Sequence, residues 1–420
     1  MRSIENSAPE PMGSDRVGAG ETVAISGWRK LAAQVALLGA FFIDLLLYSL
    51  VVPFLPGEAE QLGASPAVTG ALFAMYAAGL FAVTPLAAWL TDRVGAHQTL
   101  LWGLVALACS TLLFAFSPGL SLGLPGLFVA RTAQGAASTI TWTAGLAVLA
   151  QLYTAEERPK LFARAFTVTG IAMLIGPPLG GALYSWGGFA LPFLVATGFV
   201  ALDGLGRLLL LPGRDALPAR RPEPGATRAL LGDGRFLLGL FAAAAGALAL
   251  SSLEPVAPLF LSGSFGLSTW AIGAVFGVLA ICFVVMQPIV TRLERRIGSR
   301  GTIAAGLAIA ACCFVGLTFA PYTFVALALL AGIGCALSLV LVPAPELLTS
   351  SGQRLAGVRG AAYGAIYAAY NAAYGVGILI GPLTAGGAIT LRGVEQSFPL
   401  LAIIPALSAL ALLLWRKRAG

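Results

Sequence analysis

Two carboxylates lie inside long apolar stretches of this 420-residue chain. Asp44 stands near the middle of residues 31–56, LAAQVALLGAFFIDLLLYSLVVPFLP, and Glu254 directly precedes Pro255 in a second apolar stretch. Because an ionisable group inside such a segment is costly, it normally faces a water-lined cavity and has a function there. A carboxylate can be neutralised by a proton or paired with a cation, so one acid can couple two fluxes. We therefore interpret Asp44 and Glu254 as coupling residues; the alternatives are a structural charge and, for Glu254, the cap of a distorted backbone.

Aromatic side chains at helical spacing could surround an organic cation near Asp44. Tyr363, Tyr367, Tyr370 and Tyr374 follow one another at intervals of 4, 3 and 4 residues, which places four phenols on one helix face with Asn371 at its edge. Each cation-π contact contributes about 0.5–2 kcal/mol. Ordinary packing is the alternative to a cage. The predicted substrate-binding residues are Tyr48, Tyr76, Trp142, Ser338, Tyr367, Tyr370, Asn371 and Tyr374.

The composition indicates that these residues are positioned by membrane-spanning helices. Hydrophobic residues make up 58% of the chain and charged residues 10%, and the mean hydropathy is +0.89. A soluble protein of this length cannot bury that proportion in one core. The net charge of +7 comes from Lys and Arg residues distributed over short connecting segments, so it reports topology and not a nucleic-acid partner.

Apolar runs of spanning length occur twelve times, in two sets of six. They lie near 31–56, 68–91, 98–116, 124–152, 161–184, 190–211, 236–261, 268–291, 301–319, 322–347, 360–388 and 396–415. The predicted domains are a disordered cytoplasmic tail (1–28), an N-terminal six-helix bundle (29–211), a cytoplasmic linker rich in Pro, Gly and Arg (212–234), a C-terminal six-helix bundle (235–415) and a cytoplasmic tail (416–420).

The two sets repeat each other at a spacing of roughly 205 residues, which indicates an internal duplication. Asp44 corresponds to Glu254, and TDRVG at 91–95 corresponds to RRIG at 295–298. GPPLGG at 176–181 corresponds to GPLTAGG at 381–387.

The positive charges fix the predicted orientation. With the N-terminus in the cytoplasm, nearly all Lys and Arg residues of the connecting segments face that side and only Arg392 falls in an outer loop. We expect both termini in the cytoplasm and the protein in the cell (inner) membrane.

Several motifs resemble those of the major facilitator superfamily. AAWLTDRVGAHQTL is similar to its loop motif, with Asp92, Arg93 and Gly95 matching; LFVARTAQGAAS is similar to its fourth-helix motif, with Arg131, Gln134 and Gly135 matching. GIAMLIGPPLGGALY resembles the motif of its drug and proton antiporters. IDLLLYSLVVPFLP, LEPVAPLFL and LPFLVATGFVALDG resemble the vesicular monoamine and acetylcholine transporters. The residues assigned to gating or helix packing are Asp92, Arg93, Gly95, Arg131, Gly135, Gly176, Pro177, Gly180, Gly181, Gly381 and Pro382.

Other readings of these motifs stay open. Asp92 either locks one state of a carrier or belongs to a solvated turn, and Arg131 is either a structural hydrogen-bond donor or a proton relay. The glycines either allow close helix packing or, with their prolines, form a pivot.

Some positions depart from the family pattern. Ala88, Ala96 and His97 replace a glycine and a basic pair of the loop motif. Tyr76 and Asn371 stand where vesicular amine transporters place a Lys and an Asp, and Ser338 stands where they carry an acid. Monoamine specificity therefore does not follow from the resemblance.

The sequence thus predicts an all-α membrane protein with twelve transmembrane helices in two pseudo-symmetric six-helix bundles. Its predicted function is proton-coupled antiport that exports small cationic or amphipathic organic compounds by alternating access. One alternative is an exporter of a neutral metabolite or natural product; another is a transport-dead membrane receptor. We expect a monomer in a lipid bilayer with a small organic substrate and protons as partners, no enzyme activity, and no cofactor, metal or nucleic acid.

Overall fold

Every element in the described part of the chain is an α-helix. The computed structural model describes residues 27–118, 120–153, 157–210, 230–354 and 362–414. Most of the two predicted tails and of the linker lie outside these residues, as do the side chains of Tyr363 and Tyr367. Gly27 and Trp28, predicted to be tail, instead begin the first helix.

The N-terminal half contains six long helices and one short one. They are α1 (Gly27–Leu50), α2 (Leu55–Gln61), α3 (Pro66–Val94), α4 (Ala96–Phe116), α5 (Gly123–Leu152), α6 (Arg158–Gly187) and α7 (Ala190–Leu210). The six long helices match the predicted spans. The short helix α2 occupies what was predicted to be a loop, and Pro56 lies in its first turn, where a missing backbone N–H costs nothing.

The C-terminal half repeats this arrangement with two differences from prediction. Its helices are α8 (Gly234–Phe265), α9 (Thr269–Leu317), α10 (Thr323–Leu341), α11 (Pro343–Arg354), α12 (Ala362–Arg392) and α13 (Val394–Leu414). The predicted eighth and ninth spans form the single 49-residue α9, which kinks at Gly298. The predicted tenth span is divided between α10 and α11 at Val342, because Pro343 has no backbone N–H with which to continue the helix.

The twelve predicted spans are confirmed. Ten described helical segments are long and apolar enough to cross a membrane. The kinked α9 supplies two spans, and α5, which packs between α3 and α4, completes the twelve.

Backbone geometry shows that the two halves repeat each other. Gly95 (φ 95°, ψ 150°) separates α3 from α4, and Gly298 (φ 76°, ψ 163°) stands 203 positions later inside α9. Both positions use the positive-φ backbone that favours glycine. Ser65 and Ser268, also 203 apart, cap α3 and α9 by accepting a hydrogen bond three residues on.

The halves meet through glycines at the end of the molecule that carries α2, called the α2 end here. A Cβ at Gly70 on α3 would lie 2.3 Å from the carbonyl oxygen of Pro382 on α12. Its counterpart Gly273 on α9 would place a Cβ 2.5 Å from the carbonyl oxygen of Pro177 on α6. The main chains of the two halves therefore touch at two related positions.

At the opposite end, called the Asp92 end here, these helices separate from their neighbours. Residues 84–86 of α3 and 287–289 of α9 are all exposed. Consecutive helical residues point about 100° apart, so three exposed in a row leave most of the helix circumference uncovered. The structure is therefore closed at the α2 end and open at the Asp92 end.

Candidate functional site

Asp44 is fully buried on α1 and is held from one side by α5. One carboxylate oxygen, Oδ2, accepts hydrogen bonds from Ser138 Oγ (2.6 Å) and Trp142 Nε1 (2.9 Å). The other oxygen, Oδ1, is buried without a hydrogen-bond partner among the described residues. The carboxylate is thus fixed in orientation while half of its hydrogen-bonding capacity is unused.

Tyr76 on α3 extends this arrangement. Its hydroxyl donates to Ser138 Oγ at 2.8 Å, which makes a chain from Tyr76 through Ser138 to Asp44. Gly135 allows α5 to approach closely enough, since a Cβ there would lie 1.8 Å from the Tyr76 carbonyl oxygen. The structure therefore supports packing as the role of Gly135.

Glu254 on α8 is tied to the N-terminal half by Tyr48 on α1. The Tyr48 hydroxyl lies 2.8 Å from Glu254 Oε1 and 3.1 Å from Oε2, and both residues are buried. The Tyr48 and Tyr76 rings lie 4.6 Å apart between centroids. The two predicted coupling acids thus stand at opposite ends of one group of tyrosines.

Arg131 on α5 lies within this group and is completely buried. Its Cζ lies 4.9 Å from the Tyr48 ring centroid, 5.1 Å from that of Tyr76 and 5.6 Å from that of Phe73. It donates to Gln134 Oε1 at 2.8 Å and to the Tyr48 carbonyl at 3.4 Å. Its charge is therefore stabilised by ring faces and neutral acceptors, and within the described ranges no ion pair contributes.

Trp142 closes the Asp44 side of the group by stacking on Phe41. The two rings lie 4.2 Å apart at an interplanar angle of 15°. Gly145 makes room for this, since a Cβ there would lie 2.8 Å from Phe41 Cε1. Phe41 is buried, whereas Trp142 is partly exposed.

The predicted aromatic face of α12 is seen in part. Tyr370 and Tyr374 stack at 5.9 Å, and Tyr374 packs against the cluster that contains Tyr48 and Tyr76. Asn371 beside them is partly buried. Ser338 on α10 is buried, and its hydroxyl has no hydrogen-bond partner in the described ranges, so no such bond ties it to the residues around Asp44.

The residues predicted to form a gate lie at the Asp92 end. Asp92 and Arg93 are exposed at the Asp92 end, and the Arg93 guanidinium lies 5.7 Å from the Trp89 ring. Gly95 closes the turn as expected. No described residue forms an ion pair with Asp92, which fits a lock that is released in this conformation.

The glycine and proline motifs pack helices together. A Cβ at Gly176 would lie 1.9 Å from Ser49 Oγ, and one at Gly180 would lie 1.9 Å from the Leu50 carbonyl oxygen, so α6 rests on α1. Gly181 meets Thr269 of α9. In the second motif, a Cβ at Gly381 would lie 2.2 Å from Ser251 Oγ on α8. Pro177 and Pro178 lie inside α6, and Pro382 lies inside α12, and neither helix ends there. The geometry therefore supports close helix packing as the role of these motifs.

A buried ion pair lies in the N-terminal half. Asp203 and Arg207, four apart on α7, pair with each other, and Arg207 Nη1 donates to the Leu100 carbonyl of α4 at 2.8 Å. Both side chains are buried, so the pair is not a surface contact.

Sequence reasoning missed Ser138 as a ligand of Asp44. Its signal was present, because Arg131, Gln134, Ser138 and Trp142 follow one another at intervals of 3, 4 and 4 residues and so share one face of α5. The partners of that face on α1 and α3 could not be read from α5 alone.

The groups of this arrangement that can take up and release protons are its two buried carboxyl groups, Asp44 and Glu254. Within the described ranges, no group of three His, Cys, Asp or Glu side chains could hold a metal ion. The site offers two carboxyl groups, hydroxyl donors and aromatic faces at the junction of two halves.

Comparison with known proteins agrees with this geometry. The family model of the Major Facilitator Superfamily matches residues 37–371. The vesicular acetylcholine transporter of Drosophila melanogaster is 28% identical over 414 residues, which cover 88% of this chain and 70% of that protein. The human synaptic vesicular amine transporter is 29% identical over 339 residues, covering 80% of this chain and 63% of that transporter, so the match spans less than two thirds of its length.

A solved structure shares the fold. A bacterial homologue of the human lysosomal transporter Spinster, in an inward-facing and unoccupied conformation, superposes with a TM-score of 0.73 at 15% identity and covers 93% of this chain and 96% of its own. The matches indicate a transporter and not an enzyme. The chain belongs to the Major Facilitator Superfamily and is related to the vesicular amine transporters.

Proposed function

We propose that this protein is a proton-coupled antiporter that exports small cationic or amphipathic organic compounds by alternating access. The observation that carries the proposal is the pair of buried acids, Asp44 in one half and Glu254 in the other, at the junction of halves that are closed at one end and open at the other. Alternating access requires such a junction to open at each end in turn.

The acids supply the coupling. An unpaired charge is costly in a dry interior, so a buried carboxyl group is either protonated or paired with a cation. If a cationic substrate and a proton exclude each other at Asp44, proton entry from one side drives substrate release to that side. Because Glu254 is hydrogen-bonded to Tyr48, protonation of this acid in the C-terminal half would change its contact with the N-terminal half.

The relatives support an organic amine or cation as substrate, because they are named as amine and acetylcholine transporters. This chain would nevertheless have its own substrate range. Tyr76 and Asn371 are neutral, and Tyr76 is committed to Ser138 and to the ring contact with Arg131.

Arg131 also favours a second candidate, an exporter of neutral compounds. Its guanidinium already occupies one face of each of Tyr48 and Tyr76, so these rings are less available to a substrate cation. In that case Asp44 would carry only the proton. The predicted aromatic cage remains a prediction.

The distribution of charge supports the proposed orientation. Lys30, Arg93, Arg164, Arg235 and Arg300 lie toward the Asp92 end, with Arg292, Arg295 and Arg296 nearby along α9, whereas Arg392 lies at the α2 end. By the positive-inside rule the open end faces the cytoplasmic side of the cell membrane. The structure would then be inward-facing.

Flux measurements test the proposal. Purified protein in liposomes should accumulate a permanently charged dye against an imposed proton gradient, and Asp44→Asn should abolish accumulation. Glu254→Gln should bind the dye but respond less steeply to the gradient. Transport of uncharged antibiotics alone would favour the neutral-compound exporter. Absence of flux for both classes, with ligand binding intact, would indicate the receptor and contradict transport.

A further inference from the structure

The two oxygens of the Asp44 carboxylate have unequal surroundings. Oδ2 accepts two hydrogen bonds, from Ser138 Oγ and Trp142 Nε1, and both donors come from one face of α5. Oδ1 is buried to the same extent and accepts none from the described residues. The side chain as a whole is 0% exposed, so bulk solvent does not reach the second oxygen.

This asymmetry implies a ligand for Oδ1. A buried charged oxygen without a partner costs more than a neutral one, and folded proteins rarely leave such an atom unpaired. A proton on Oδ1 would remove the charge, and a substrate cation beside Oδ1 would compensate it. Oδ2 is less suitable for either, because the two donors already occupy its lone pairs.

We propose that Ser138 and Trp142 reserve Oδ2 as the fixed oxygen of Asp44, so that Oδ1 alone takes the proton and, in exchange, the substrate cation. The substrate part rests on the proposed antiport, whereas the proton part does not. Ser138 and Trp142 are positioning residues in this scheme. No bond is made or broken other than O–H: Oδ1 gains a proton when the cation leaves and loses it when the cation binds.

Trp142 is the member of the pair that can regulate access. Its ring is partly exposed, while Phe41 beneath it and Asp44 behind it are buried. A ligand arriving from the Asp92 end therefore meets the stacked Phe41 and Trp142 rings before it reaches the carboxylate.

Other charged groups near Asp44 do not replace this role. On α7, Asp203 and Arg207 are within electrostatic range of Asp44 but pair with each other, so their charges largely cancel. On α3, the Tyr76 hydroxyl is bonded to Ser138. On α5 and α8, Arg131 and Glu254 both contact Tyr48, and Arg131 also lies over the Tyr76 ring, while α6 meets α1 through Gly176 and Gly180.

Infrared difference spectroscopy of the full-length protein across a pH series distinguishes the two oxygens. The carboxyl C=O band that disappears in Asp44→Asn identifies Asp44. If the proton is on Oδ1, the C=O oxygen is Oδ2, and its two hydrogen bonds lower the stretching frequency. Trp142→Phe and Ser138→Ala should each raise that frequency. Each should also move the titration midpoint to higher pH by about one unit, a tenfold gain in proton affinity, because a donor to the anion is lost.

The matched control is Thr139→Val, which removes the neighbouring hydroxyl of α5 that bonds to the Leu80 and Gly135 carbonyls and not to Asp44, and it should change neither the frequency nor the midpoint. A parent-like band and midpoint in both Trp142→Phe and Ser138→Ala would overturn the assignment. Two variants are used so that the test still stands if one of them misfolds. Substrate binding measured on the same samples separates the two proposals. Shifted bands with no competition by a permanently charged dye would support Oδ1 as the proton site and overturn its role as a cation site.

Discussion

Tyr48 bonds to Glu254 across the junction of the two halves, with its hydroxyl 2.8 Å and 3.1 Å from the two carboxylate oxygens. The same tyrosine presents its ring to Arg131 and its carbonyl oxygen to that guanidinium. One side chain therefore stands between a buried cation of the N-terminal half and a buried acid of the C-terminal half. Protonation or deprotonation of Glu254 would therefore directly alter the hydrogen bond that joins the two halves.

Tyr48→Phe should weaken that contact while retaining the ring beneath Arg131. A hydrogen bond to a charged group contributes about 1.5–3 kcal/mol. The ratio of molecules that are closed at the α2 end to molecules that are open there should therefore fall by at least about tenfold. Spin labels at Gln61 on α2 and Gly263 on α8, in a background without the five native cysteines, would measure the distance distribution. Tyr374→Phe is the control, since the structure gives its hydroxyl no bond across the junction. An unchanged distribution in Tyr48→Phe would remove this bond from the mechanism.

Substrate binding should depend on pH through Asp44. If Asp44 is the shared site, a bound proton and a bound cation exclude each other, so the apparent affinity for a cationic substrate should rise with pH and then level off. Asp44→Asn imitates the protonated acid permanently and should bind with a weak, pH-independent affinity while still folding, because removal of a buried charge relieves a desolvation cost. Asp44→Glu should keep part of the activity. Binding titrations in detergent from about pH 5.5 to 8.5 measure this, and an Asn variant whose affinity still climbs with pH would assign the proton to another group.

Asp92→Asn should slow turnover and leave equilibrium binding nearly unchanged. Asp92 is exposed at the Asp92 end, in the turn before Gly95 and far from the buried Asp44. Its carboxylate could lock the closed form of that end, and the structure is open there. Comparing transport rate with substrate affinity separates the two effects. A large loss of affinity would place Asp92 in the binding site instead.

Gly70→Ala and Gly273→Ala should each open the α2 end by a similar amount. A methyl group at either position would lie within 2.5 Å of a proline carbonyl oxygen of the other half, so the helices must separate. Gly198→Ala is the matched control, because an added methyl there meets nothing within 4 Å. The label pair at Gln61 and Gly263 would report the change. Equal closure in all three variants would contradict the role given to these glycines.

The spans and the duplication could be predicted because they depend on local composition and on spacing along the chain. Asp44 and Trp142 could be assigned to one predicted site because a carboxylate and an aromatic ring both suit an organic cation. The bond from Tyr48 to Glu254 could not, because helical periodicity gives the face of one helix and not its rotation relative to a helix 200 residues away. The helix α2 was missed for a different reason: Pro56 and Gly57 indicate a turn, yet Pro56 is also compatible with the first turn of a helix.

The contact of the halves at the α2 end has a consequence for ionic strength. The ion pairs of Lys30 with Glu157 and of Asp203 with Arg207 lie within the N-terminal half, whereas the junction is held by main-chain contacts at glycines, by buried apolar side chains of both halves and by the bond from Tyr48 to Glu254. Salt screens charge pairs and has little effect on buried van der Waals contacts. The packing of the α2 end should therefore change little between dilute buffer and molar salt, whereas a lock formed by the exposed Asp92 at the opposite end would be weakened by salt.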